Sequence, residues 1–143
     1  MEWLEILSQW LHLMSAVTLI GGLLYTRLVL VPSLVEAPPE SRSKLVGRLM
    51  ARWRPIAFTA MGALLLTGLF NFLTHLHGHS RAYHMALGIK LLLVLHVFSV
   101  VVLLAALPGV NPARDARRPR LMLGAVISGL IILLLSAFLR RTF

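Results

Sequence analysis

Six polar side chains stand inside or at the edges of long apolar runs: His12, Arg27, Asn71, His84, Lys90 and His96. A charge at mid-helix in a bilayer costs at least about 2.5–3.5 kcal/mol, so each such group is a functional candidate by default. Two imidazoles on diagonally opposed helices suit the axial positions of haem b, which needs neutral ring nitrogens, an apolar slot and cations near its propionates. On this reading His12 is the first ligand and His84 or His96 the second. Lys90 or Arg81 meets a propionate, and Asn71 shares the polar layer. The competing role for each histidine is helix-to-helix hydrogen bonding or the lining of a water cavity. For Lys90 the competing role is snorkelling to the surface.

A second cluster, Thr74-His75-Leu76-His77-Gly78-His79-Ser80, is followed by Arg81 and His84. Imidazoles at alternate positions suit Cu(II) or Zn(II), with His12 as a receiving ligand deeper in. A solvated, pH-sensitive loop is the other reading of the same residues. Met14 and Met85 fall at core spacing and read as packing residues. The chain has no cysteine, which excludes disulfides, thiolate metal sites and covalently attached haem. Its five acids, Glu2, Glu5, Glu36, Glu40 and Asp115, lie near the ends or in loops. No carboxylate pair or nucleophile–base arrangement for hydrolysis is present, and Gly21-Gly22 suits close helix packing better than phosphate binding.

The elements that must hold these groups are four apolar segments, roughly 4–31, 56–73, 83–106 and 121–139. Each reaches or exceeds the ~18 residues that mark a membrane-crossing helix. With 58% hydrophobic and 13% charged residues in 143, the chain reads as one polytopic membrane domain. Its backbone groups must be satisfied internally, hence helices. Short connections favour an up-down four-helix bundle in which the first and third spans are diagonal. The acidic start, Glu2 and Glu5, argues against a cleaved signal peptide.

The net charge is +9. The basic residues gather at span ends, which points to anionic lipid and away from nucleic acid. Ten of the 14 Lys and Arg cluster before and within the first connection and in the third; Arg81, Arg140 and Arg141 lie on the other side. The positive-inside rule then places both connections in the cytoplasm and both termini outside a cytoplasmic membrane. In the first connection, Pro38-Pro39-Glu40-Ser41 reads as a helix start. Leu45, Val46, Leu49, Met50 and Trp53 follow at helical spacing, predicting a short amphipathic interfacial helix that bends at Pro55 into span two. At 1.5 Å rise per residue, His12 and Lys90 lie about 10 Å below the outer interface and His96 about 20 Å. The predicted site therefore opens outward.

The stretch from His12 through Gly21-Gly22 and Arg27 to Pro32 resembles the opening span of the CopD (copper-resistance D) membrane-domain superfamily, whose more distant relatives are the HemJ-type protoporphyrinogen oxidases. Leu65-Leu66-Thr67-Gly68-Leu69-Phe70-Asn71 and Tyr83 through Gly88-Ile89-Lys90-Leu91-Leu92 extend the likeness over nearly the whole chain. The resemblance implies a four-helix module with a first-span His, matched by His12, and a third-span Lys, matched by Lys90. It implies haem b on the HemJ side and copper passage or tolerance on the CopD side. The chain departs from the HemJ-type pattern at Gly88, where those proteins place a His, and at Val31-Pro32, where they carry an aromatic-His ending.

Three functions are thus expected: a haem-b redox or electron-transfer protein with its site in the outer half of the bundle, a copper-handling protein, and a cofactor-free subunit of a larger complex. A redox partner protein or a second copy of the chain is the expected protein partner.

Overall fold

The computed structural model describes residues 2–36, 38–74, 81–105 and 112–142, all but a few of them helical. Helix α1 (Glu2–Tyr25) runs through a π-helical turn (Thr26–Leu30) into α2 (Val31–Val35). Helices α3 (Pro39–Thr74), α4 (Arg81–Ala105) and α5 (Pro112–Thr142) follow. Four stretches, Glu2–Val35, Lys44–Thr74, Tyr83–Ala105 and Arg118–Leu139, are long and apolar enough to cross a membrane. This is an all-helical, multi-pass architecture. Helix α1 packs along α3 and α4 along α5, and α1–α5 and α3–α4 contacts close a ring. Helices α1 and α4 are therefore diagonal, as the short connections predict.

The π turn has a local cause. Pro32 has no N–H to offer the carbonyl of Leu28, and its ring crowds that carbonyl. The backbone widens ahead of it, so that Val31 N–H bonds to the carbonyl of Thr26, five residues back. The helix then continues past Pro32 to Val35, beyond the expected end of span one at Val31.

The separate interfacial helix expected in the first connection is not a separate element. Helix α3 is continuous for 36 residues with Pro55 inside it. The reason lies in its inward stripe. Val46, Leu49, Met50 and Trp53 on the amphipathic part are followed in the same register by Ala57, Ala60, Met61 and Thr67, all at least half-buried. One face is covered from end to end, and Pro55 falls off it, exposed. A proline costs one hydrogen bond here; bending would break the register of a whole stripe. At 1.5 Å per residue α3 is about 54 Å long, so its basic start extends well beyond a hydrocarbon layer of ~30 Å.

The apolar core sits toward the basic end of the bundle. It joins Leu19 and Leu23 of α1, Ala57 and Met61 of α3, Val97 through Leu104 of α4 and Met122 through Val126 of α5. Small residues let the helices close. The Trp53 indole lies across Gly22, where even a Cβ would fall inside the ring. Gly129 of α5 gives the same room to Ile20. Both helix-to-helix turns at the basic end are tied by an arginine. Arg42 Nη2 donates to the last carbonyl of α2, at Val35 (2.7 Å). Arg118 Nη1 reaches the Leu104 carbonyl near the end of α4 (3.4 Å). Such carbonyls lack helical partners and attract cations.

Gly22→Ala is expected to destabilise the bundle by about 1–3 kcal/mol through overpacking against Trp53. Denaturant titration of the detergent-solubilised protein, followed by circular dichroism, measures this. Adding Trp53→Ala should remove most of the Gly22→Ala penalty, because the clash then has no partner.

Candidate functional site

The half of the bundle that holds both termini is built differently from the basic half. Its inward positions on α1 are Ser8, His12 and Ser15, which fall four and three residues apart on one helical face. The facing positions on α3 are Thr67 and Asn71, again one turn apart. The two stripes meet. Ser8 Oγ donates to Asn71 Oδ1 at 3.1 Å, and one turn deeper His12 Nδ1 lies 2.8 Å from Thr67 Oγ1. Gly68, beside Thr67, makes room for the ring: a Cβ there would sit 3.4 Å from His12 Cε1.

The Thr67 hydroxyl decides the state of this imidazole. Its proton is already donated to the Ala63 carbonyl, at 2.6 Å. A hydroxyl carries one proton and two acceptor lone pairs, so towards His12 it can only accept. With that proton on Ala63, Thr67 accepts from His12 Nδ1 in their 2.8 Å contact, and the ring also has a hydrogen bond with the Leu64 backbone. In the neutral ring the lone pair then resides on Nε2. This is the arrangement of a metal-ligating or basic histidine, whose second nitrogen is held by an outer partner.

Lys90 stands on the inward stripe of α4, half-buried, diagonal to His12 and within Coulombic reach of it. Among the described residues no hydrogen bond or ion pair engages its amine. The α3–α4 seam beside it is the least closely packed of the four in the ring, among the described residues.

The other histidines lie elsewhere. His84, in the first turn of α4, is exposed and meets the Tyr83 ring edge-on at 5.7 Å. His96 is exposed on the outer side of α4, with Nε2 against Gly124 of α5. Its depth follows from the packing: Ile20, eight residues along α1 from His12, meets Gly129, and Gly124 lies five residues back along α5, toward the basic end. His96 is thus about 20 Å deeper than His12 at 1.5 Å per residue. These two rings cannot share one iron. His84, twelve residues above His96, returns to within a few ångströms of the depth of His12, but on the outer surface. His75, His77 and His79 lie outside the described residues. Among the described residues no three His, Cys, Asp or Glu side chains gather closely enough to hold a metal ion.

The structure thus brings together His12, Asn71 and Lys90 of the residues singled out by sequence, and sets His84 and His96 apart. It adds Thr67 and Ser8 as partners. The spacing 8, 12, 15 on α1 and 67, 71 on α3 was the available signal: polar residues one turn apart in apolar helices are expected to face one another. A largely apolar cavity of about 280 Å³ lies at the opposite, basic end, away from this cluster.

Comparison with protein-family models, with curated proteins and with solved structures found no match to the chain.

Replacing Thr67 by Val removes the acceptor and should leave His12 divided between its two neutral tautomers. Ring nitrogen chemical shifts of the labelled protein would read this. The wild type should give a single Nδ1–H form; an Nε2–H form would mean that the hydroxyl proton points to the ring.

Proposed function

We propose that this chain is a small membrane protein that binds haem b through His12, in the half of the bundle holding the termini, and serves electron transfer. The observation that carries the reading is the contact of His12 Nδ1 with Thr67, whose own proton goes to the Ala63 carbonyl, an arrangement that puts the lone pair of the neutral ring on Nε2. The donor set fits at that atom, since a neutral imidazole nitrogen is the axial ligand haem uses. Lys90 fits a propionate. An amine at this depth calls for an anion, and none of the acidic residues with a described side chain pairs with it. Among the described residues the α3–α4 seam is the least closely packed of the four, which favours entry of a ligand on the side of α4 that carries Lys90. Haem b, when bound, supplies a one-electron iron couple. The chain's residues do the rest: Thr67 fixes the tautomer, His12 offers the ligand atom, and Lys90 counters carboxylate charge. Because His96 is about 20 Å deeper and His84 turns outward, His12 is the only protein ligand in this reading.

Copper is the weaker alternative for the same atom. Placing a copper ion at Nε2 would bring a second cation within reach of the Lys90 ammonium, and like charges in a low-dielectric site repel strongly. Haem carries two carboxylates and relieves that charge. A cofactor-free subunit gives no role to a Lys90 amine that engages no partner among the described residues. For orientation, we adopt the charge bias of the sequence: the basic end faces the cytoplasm and the His12 half faces outward.

Gently purified protein should show a Soret band of five-coordinate, high-spin character. His12→Ala should abolish it, while His84→Ala and His96→Ala retain it. Lys90→Gln should weaken haem retention by roughly tenfold, the equivalent of losing one charge-assisted bond. Absence of haem together with copper bound in a His12-dependent manner would replace this reading by the metal-handling one.

A further inference from the structure

Helix α3 has its own chemistry on the side turned away from the bundle. Lys44, Arg48 and Arg52 follow at four-residue steps, so they stand one above another on a single helical face. All three are exposed, while Val46, Leu49, Met50 and Trp53 on the opposite face are half-buried. None of the three engages a described residue through a hydrogen bond or ion pair. The ladder exists because α3 does not end at Pro55. A separate interfacial helix would lay these cations along the membrane surface, whereas the continuous helix stacks them along the axis of span two.

Like charges at this spacing repel one another. The helix persists there because it is held from the bundle side, by Trp53 across Gly22 and by Arg42 on the Val35 carbonyl. Acids with described side chains do not offset the repulsion. Glu2 and Glu5 start α1 at the other end of the bundle, and Glu36 pairs with none of the three cations.

Position says what lies beside the ladder. The apolar run of α3 begins at Ile56, so at 1.5 Å per residue Arg52 lies about 6 Å outside it, Arg48 about 12 Å and Lys44 about 18 Å. A bilayer of ~40–45 Å with a hydrocarbon core of ~30 Å leaves roughly 5–8 Å of headgroup on each side. Arg52 is at headgroup level, Arg48 reaches back to it along its flexible stem, and Lys44 stands in the water beyond. An outward face at headgroup level has lipid, not another helix of this chain, as its neighbour.

We propose that this outward edge of α3 gathers anionic phospholipid, whose headgroup phosphates lie beside Arg52 and Arg48 and offset the repulsion within the ladder. Basic clusters next to a membrane span attract anionic headgroups, and the guanidinium fork matches phosphate geometry. The edge is separate from the His12 cluster and independent of the haem reading.

Electron spin resonance of the full chain in phosphatidylcholine vesicles, with trace spin-labelled phosphatidylglycerol or phosphatidylcholine, tests this. The motionally restricted fraction should show phosphatidylglycerol favoured by about threefold or more at low salt. The preference should fall in 1 M salt, where the Debye length shrinks to about 3 Å. Arg52→Gln and Arg48→Gln should each reduce it more than Lys44→Gln does, and the triple variant should remove most of it. Circular dichroism should show the triple variant folded, since like charges are being removed, and His12→Ala should keep the preference. Equal association of the two labels, or a preference unchanged in the triple variant, would overturn the proposal. So would a preference lost to millimolar inorganic phosphate at constant ionic strength, which marks a plain anion site. A largest effect at Lys44 with none at Arg52 would likewise overturn it, in favour of a soluble acidic partner.

Discussion

A hydroxyl, an amide or an imidazole surrounded by hydrocarbon has no water to turn to, and this constraint organises the half of the bundle that holds the termini. There the buried stripes of α1 and α3 are polar, and their side chains are matched across the interface: Ser8 to Asn71, His12 to Thr67, and Thr67 back to the Ala63 carbonyl. Interhelical bonds of this kind contribute only about 0.6 kcal/mol on average in membrane proteins. Their larger effect is on geometry. Apolar contacts would let α1 slide or rotate on α3, whereas two successive hydrogen bonds one turn apart set both register and rotation. They also place the proton of His12, and that is a chemical consequence.

The basic half solves the complementary problem. Its interior is apolar, and its loose ends are the carbonyls that α2 and α4 leave at their termini. Arg42 and Arg118, each reaching back from the following helix, satisfy them. Trp53 over Gly22 and Ile20 beside Gly129 bring α1 close to α3 and α5, which matters because lipid tails are as apolar as leucine and helix association depends on packing. The π turn before Pro32 lets the helix pass a proline without ending. The bundle is thus locked by packing at one end and by hydrogen bonds at the other.

Much of this was legible in the sequence. Four apolar runs and short connections led to a four-helix ring with α1 and α4 diagonal. What composition hid was rotation. When apolar residues surround a helix, nothing in the pattern separates lipid-facing from bundle-facing sides, so His84 and His96 both stood as candidates for a second ligand beside His12. Only the packing of His96 on Gly124 and the exposure of His84 remove them from the interior. Pro55 misled for a related reason. Proline is a breaker by rule, yet the stripe from Val46 to Thr67 keeps one register across it, and burial of a continuous face outweighed a single lost bond. The basic-end cavity involves residues from five segments, so no local spacing could have announced it.

The two ends place opposite demands on whatever binds them. At the terminal end, polar groups stand in oil: an imidazole held by Thr67 and an amine that engages no described partner. At the basic end, an apolar hollow stands among charges. A purely apolar ligand would leave Lys90 uncompensated, and a purely ionic one would leave the chamber near Leu49 empty or wet. On the proposed reading haem b, through its propionates, meets the first demand. The chain has five acids of its own against 14 Lys and Arg, and the haem proposed for the terminal half would bring two carboxylates to that balance.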